Sequence, residues 1–365
     1  MREKINIATM DQLKRDYPWT KAPLVSCGPM RLIALADLAA EVSRAGGLGF
    51  IGAGSDVSTM EAEFEKVKQL QGSAQVLREV TDVLPVGVGF LLWAGEKLLL
   101  EALPLIVKYK PAAVWLFAPN ELDQFTQWTK EIRKATGGKT KIWIQIGTVA
   151  EAVEATKACH PDVLVVQGQD AGGHGLQTAA GLVPLLPEVD DAVTAACATH
   201  KVEKPVLTAS GGIMDGRGAA AAIALGAAGV SLGTRYLVAP ESKIAKGYRD
   251  AVIAASDGGV NTKRGKLYDH LRGTRDWPER YGGRSVLNDT WYDNEKGMSL
   301  EENQKLHDEA VKKGDEGWGD HGRLTTYAGA GVGLATGIKS AARITEEVRE
   351  DAKRVLKQAS SRSHM

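Results

Sequence analysis

The sequence predicts an α/β protein, a (β/α)8 TIM barrel with a helical insertion between its eighth strand and its last helix. Three observations carry this. Eight short apolar, β-rich runs recur with helical patterns between them over about 240 residues. Most of the runs are nearly continuous in apolar residues, as expected of parallel strands covered on both faces. Glycines follow almost every run, so one rim of the barrel is largely free of side chains.

The runs fall at about 22–27 (APLVSC), 48–52 (LGFIG), 83–90 (VLPVGVGF), 112–117 (AAVWLF), 141–146 (KIWIQI), 163–167 (VLVVQ), 205–209 (PVLTA) and 229–233 (GVSLG). Between the first two lies RLIALADLAAEVSRAG (31–46), whose apolar residues repeat at i, i+3 and i+4 before a glycine stop. GLGFIG (47–52) matches the dinucleotide fingerprint, but it leaves a helix and enters a strand, the reverse of the order that fingerprint needs. It predicts a helix stop and a glycine-containing strand. From about 240 to 325 the rhythm breaks into a polar stretch rich in Trp, Tyr and charge, with no clear strand. TYAGAGVGLATGIKSAARITEEVREDAKRVLKQ then supplies a glycine-rich loop and a final amphipathic helix. The chain therefore divides into a barrel over 1–240, a helical insertion over 241–325, and the last barrel helix with its tail over 326–365. Trp277, Tyr281, Trp291, Tyr292 and Trp318 are too many aromatics for a free linker. They predict a lid over the barrel mouth that forms part of the substrate pocket.

Composition narrows the classes of function. Of the 365 residues 44% are hydrophobic and 25% charged, ordinary values for a globular protein. Lys+Arg and Asp+Glu both number 45, so no basic excess points to nucleic acid. No run of 18 apolar residues predicts a membrane span, and MREKINIATMDQLKRDY lacks the apolar core of a signal peptide. Cys27, Cys159 and Cys197 are widely spaced and odd in number. They predict neither a disulfide framework nor a metal site, and they fit a reducing compartment.

The chemistry gathers at the carboxyl ends of the strands, the face that carries barrel active sites. CGPM follows the first strand, GAGSD the second, GQDAGGHG the sixth, SGGIMDGRG the seventh and LGTR the eighth. Such a density of glycine favours a large ligand lying across the mouth, because no Cβ keeps it from the backbone. Gly211 and Gly212 leave the seventh strand, Gly233 and Thr234 the eighth, and Asp215 and Gly216 begin an alanine-rich helix. Backbone N–H groups of these loops, with a helix N-terminus, form the usual barrel phosphate site. Arg235 either adds charge there or pairs with a carboxylate on the rim. The absence of a P-loop pattern argues against a nucleoside triphosphate.

Four stretches in this order, APLVSCGPMRLIALADLAAEVSRAGGLGFIGAGS, VVQGQDAGGHG, SGGIMDGRGAAAAIALGAAGVSLGTRYL and YAGAGVG, resemble the nitronate monooxygenase family, once called 2-nitropropane dioxygenases. The resemblance covers about 20–240 and the last helix. It implies non-covalently bound FMN, with Gly28, Pro29 and Met30 along the isoalloxazine and Gln145 at its pyrimidine edge, a position often Lys in relatives. It implies that Ser210, Gly211, Gly212, Gly233 and Thr234 hold the phosphate, that Gly173 contacts the cofactor, and that Gly329 to Gly331 close over the ring. Asp170 stands where relatives often carry Glu.

The same resemblance assigns His174 as the base, and an imidazole, titrating at about 6.5, suits removal of a carbon-bound proton. His270, His307 and His321 matter only if the insertion folds inward, and Cys27 reads as packing. The implied reaction is oxidation of alkyl nitronates, such as propionate 3-nitronate, with O2 to a carbonyl compound and nitrite. Two other readings remain open at this stage: an NAD(P)H-dependent reductase of quinones or enoyl thioesters on the same scaffold, and a flavin-binding protein without turnover. Ser363, His364 and Met365 fit the small–basic–aliphatic pattern of a peroxisomal signal, so cytoplasm and peroxisome are the two expected locations. A homodimer is compatible with the sequence.

Overall fold

Alternating inward glycines and aromatics decide how the barrel fills. A computed structural model describes residues 11–319 and 321–362, so the Ser363–Met365 tripeptide lies outside the described residues. Eight parallel strands close on themselves: β1 (Leu24–Cys27), β2 (Leu48–Gly54), β3 (Leu84–Leu91), β4 (Pro111–Phe117), β5 (Lys141–Ile146), β6 (Val163–Gln167), β8 (Val206–Ser210) and β9 (Gly229–Leu232). Pairing of Leu24 with Gly229 through to Cys27 with Leu232 makes the closure. Each predicted run is one of these strands.

Inside the barrel Phe50, Trp115 and Trp143 pack edge and face, with ring centroids 5.0 to 5.7 Å apart. The alternation VGVGF of β3 makes room for them, since a Cβ on Gly87 would lie 2.2 Å from the Phe50 ring. Tyr17 seals the amino end and accepts a hydrogen bond from Trp143 Nε1 at 2.7 Å. Aromatics thus fill the amino-terminal half of the barrel and leave its carboxyl end open. Outside, the continuous apolar runs bury their other face under the helices, with Val25, Ile51, Val86, Val88 and Ile144 all in one core. The last helix, Ala341–Arg362, docks beside Ala36–Arg44 and Gly216–Ala224. Its buried Arg349 donates to the carbonyls of Ala45 and Gly46 at 2.6 and 3.0 Å. Gly47 and Gly49, the decoy fingerprint, fall at the helix exit and within β2.

The insertion carries helices, as expected: Lys246–Ala254, Leu267–Leu271, Asp289–Glu295 and Leu300–Lys312 among them. It also carries two strands that the sequence pattern hid, β10 (Thr262–Gly265) and β11 (Tyr281–Val286). They form an antiparallel sheet of order β10-β11-β7, whose third strand β7 (Gly173–Leu176) is the tract read from sequence as the loop after the sixth strand. His174 therefore stands on a strand, opposite Gly283. TKRG and YGGRSV show neither an apolar run nor alternation, because β10 is charged and β11 buries Tyr281, two glycines and Ser285 rather than an apolar series. Among the described residues no helix is long and apolar enough to cross a membrane.

Candidate active site

The open end of the barrel and the underside of the insertion enclose a cavity of about 800 Å³. Gly28, Pro29, Met30, Gln145, Gly173, His174, Ser210, Gly211, Gly212, Gly233 and Thr234 all line it, whereas Asp215 and Gly216 of the phosphate-loop reading do not. The volume falls within the ~300–1,000 Å³ usual for small-molecule sites.

Gln145 ends β5 with its amide turned into the barrel. Its Oε1 accepts from Trp115 Nε1 at 2.9 Å, while its buried Nε2 has no partner among the described residues. A buried donor left unpaired costs about 1–3 kcal/mol, which a ligand acceptor would recover. Across the mouth, Gly211 and Gly212 have φ of +99° and +74°, left-handed conformations that glycine adopts without strain, and both line the cavity with no Cβ between backbone and ligand. Thr234 Oγ1 accepts from the N–H of Gly329 at 2.9 Å and ties the loop after β9 to the glycine loop before the last helix. That last loop reaches the β6–β7 turn backbone to backbone. A Cβ on Gly172 would lie 2.4 Å from the nitrogen of Gly329, so only glycine permits the contact. Asp170 contributes its carbonyl there, accepting from Ala330 N–H at 2.9 Å, and it does not line the cavity. Arg235 does not line it either: it is buried, and its guanidinium points at the Gly337 carbonyl, 3.5 Å away.

His174 is held from three sides. Its ring lies flat on the indole of Trp277, with centroids 3.7 Å apart and planes within 1°. Its Nε2 is 2.9 Å from Oδ1 of Asp269, an almost fully buried carboxylate in the insertion helix Leu267–Leu271. The same oxygen accepts from Tyr327 Oη at 2.7 Å and Thr274 Oγ1 at 3.3 Å. Beneath the strand, Arg264 of β10 donates to the carbonyls of Gly173, Gly282 and Ala171 at 2.7, 2.6 and 2.6 Å. Burial, reinforced by neighbouring Arg284, brings Arg264 itself down to about 10.

The electrostatics set protonation states. Burial pulls the His174 imidazole below its ordinary value; Asp269 opposes this, and Arg264 and Arg272 add to it. Burial pushes Asp269 up, but its hydrogen bonds with His174, Tyr327 and Thr274 and the nearby imidazole charge outweigh that and leave it low. Burial and the adjacent carboxylate hold the Tyr327 phenol far above its usual range. At neutral pH the trio is a neutral imidazole, an ionised carboxylate and a neutral phenol. Burial likewise keeps the Cys27 thiol protonated, and it does not line the cavity.

Sequence reasoning missed Asp269, Tyr327 and Arg264. Asp269 sits in KLYDHLRG, where neither spacing nor composition separates it from a solvated acid. Of the insertion histidines, His307 does line the cavity, with its buried Nδ1 3.7 Å from Asp308 Oδ1. Of the five lid aromatics, Trp277 and Trp318 line it, and Tyr281 is buried against Phe117 at 5.3 Å. Trp291 instead stacks on Tyr268, and Tyr292 is exposed.

A closed parallel barrel with a mainly apolar pocket at its carboxyl rim, carrying a few polar groups and roofed by an insertion, defines a (β/α)8-barrel enzyme. The profile of the nitronate monooxygenase family matches residues 113–351. Nitronate monooxygenase npaC of Metarhizium robertsii is 46% identical over 94% of this chain and 95% of its own, and a nitronate monooxygenase of Neurospora crassa is 36% identical over 98% and 96%. The chain belongs to the nitronate monooxygenase family, a family of oxidoreductases. Among solved structures the fold is similar to nitroalkane oxidase from Streptomyces ansochromogenes, with TM-score 0.69 at 21% identity, covering 95% of this chain and 99% of that one. It is also similar to FabK from Thermotoga maritima, with TM-score 0.68 at 23% identity over 97% and 99%.

Proposed function

We propose that this enzyme oxidises alkyl nitronates with O2 at an FMN held across the barrel mouth, giving a carbonyl compound and nitrite. The single observation that carries this reading is the convergence of an unpaired buried amide donor, a glycine cradle and a partly enclosed imidazole in one cavity. Gly211, Gly212, Gly233 and Thr234, with Ser210, would hold the phosphate. Gly28, Pro29 and Met30 would flank the ring, and Gln145 Nε2 would donate to an acceptor on its edge. When bound, FMN supplies the redox chemistry, taking up an electron from the nitronate and passing it on to O2.

The chain's own residues orient the substrate and handle its proton. A neutral nitroalkane must first lose its α-proton, and His174 is placed to take it. A nitronate arrives deprotonated and needs only placement. Residues 241–325 act as the substrate lid, because Trp277 and Trp318 close the cavity from above. Anaerobic mixing tests the reading: a nitronate should bleach the flavin of the reconstituted protein. Bleaching by NAD(P)H alone would make it a reductase, and bleaching by neither would leave a binding protein.

A further inference from the structure

The insertion does more than cover the cavity, because it supplies the buried carboxylate that grips His174. Tyr327 Oη and Thr274 Oγ1 donate to Asp269 Oδ1, His174 Nε2 lies 2.9 Å from the same oxygen, and an ionised carboxylate has only acceptor sites to offer it. A neutral imidazole has one N–H. If it faces that carboxylate from Nε2, the lone pair must sit on Nδ1. Nδ1 has no hydrogen-bond partner among the described residues, and the side chain lines the cavity. The stacked Trp277 indole fixes the plane of the ring, so that Nδ1 keeps one direction.

We propose that Asp269 is a positioning residue which locks His174 in the Nε2–H tautomer, making Nδ1 the atom that receives the substrate proton. The inference rests on the base role argued for His174. In the step, the α-carbon–hydrogen bond of a neutral nitroalkane breaks and the proton passes to Nδ1. The electron pair of that bond moves into the nitro group and forms the nitronate. The resulting imidazolium keeps its Nε2–H on Asp269, whose charge offsets it. The other groups facing the ring are Tyr327, a neutral donor, and Arg264 and Arg272, both of which oppose protonation. Among the described residues Asp269 is thus the one charged group favouring the imidazolium.

Asp269→Asn removes that charge and can present an amide N–H to Nε2, which drives the ring proton to Nδ1 and blocks the base. The same exchange in a serine-protease triad costs about 10⁴-fold. The test uses the full chain loaded with FMN and labelled with ring-¹⁵N histidine, read by long-range ¹H–¹⁵N correlation at neutral pH. The His174 signals are those lost in His174→Asn. The expected wild-type pattern is a protonated Nε2 and an unprotonated Nδ1; a protonated Nδ1 overturns the proposal even if Asp269→Asn proves unstable. In a folded Asp269→Asn the tautomer should invert, and nitroethane turnover should fall about 10²–10⁴-fold with nitronate oxidation much less affected. An unchanged tautomer there also overturns it. Should His174→Asn retain nitroethane turnover, the base role fails, while the spectrum still decides the tautomer.

Discussion

The indole of Trp277 lies flat against the imidazole of His174, 3.7 Å between centroids and 1° between planes, and the two residues come from different parts of the chain. His174 is on β7 at the barrel rim, whereas Trp277 precedes β11 in the insertion. The contact buries the imidazole, and burial is the largest reason its pKa lies below the ordinary value.

A pH dependence follows from that burial. The base role proposed for His174 needs a neutral imidazole, so nitroethane turnover should persist as pH falls through about 6.5 and fail only below it, at the depressed pKa. Trp277→Ala lets water reach the ring and moves that acidic limb upward. It also forfeits a stacking contact worth about 0.5–1.5 kcal/mol, so turnover at the optimum should drop roughly 2- to 10-fold. A pH profile of kcat/KM on both proteins reads this; a limb that stays put would mean that Trp277 does not control solvation of the base.

Arg264 is predicted to pin the strand that carries His174. Arg264→Met leaves the carbonyls of Gly173, Gly282 and Ala171 without their shared donor. Hydrogen bonds to charged groups contribute about 1.5–3 kcal/mol each, so a stability loss of about 3 kcal/mol or more is expected. Denaturant unfolding measures it, and limited proteolysis should show earlier cleavage within 241–325. A loss under about 1 kcal/mol would show that β7 keeps its place without the guanidinium.

These two residues also mark where the sequence stopped being informative. The barrel was legible because strands buried on both faces must be apolar throughout, and VGVGF shows its inward glycines directly. The place of the glycine tracts and of His174 at the barrel rim was legible because they directly follow those strands, although His174 itself stands on β7 rather than in a loop. β10 and β11 were not, since TKRG is charged and YGGRSV buries glycines, Ser285 and one tyrosine instead of an apolar series, while Arg264 and Arg284 turn onto backbone carbonyls. Asp269 was not, because its partner His174 is 95 residues away in sequence and no local pattern links them.

Gln145 should matter for cofactor affinity more than for folding. Gln145→Glu keeps an oxygen for Trp115 Nε1 and replaces the unpaired Nε2 donor with an acceptor. Loss of one hydrogen bond to a buried partner, with a lone pair set against it, should weaken FMN binding about 10-fold or more. Fluorescence titration of apoprotein with FMN checks this. Unaltered affinity would place the ring edge elsewhere.

The central claim is that His174 removes a proton that only a neutral nitroalkane carries. His174→Asn keeps a similar size and some hydrogen bonding but has no basic nitrogen. Its turnover of nitroethane and of ethylnitronate, measured side by side on protein of matched flavin content, is the most direct test. The expected result is a loss of about 10²–10⁴-fold on nitroethane with a far smaller change on ethylnitronate. Equal losses on both substrates would contradict the claim and leave His174 as a binding residue.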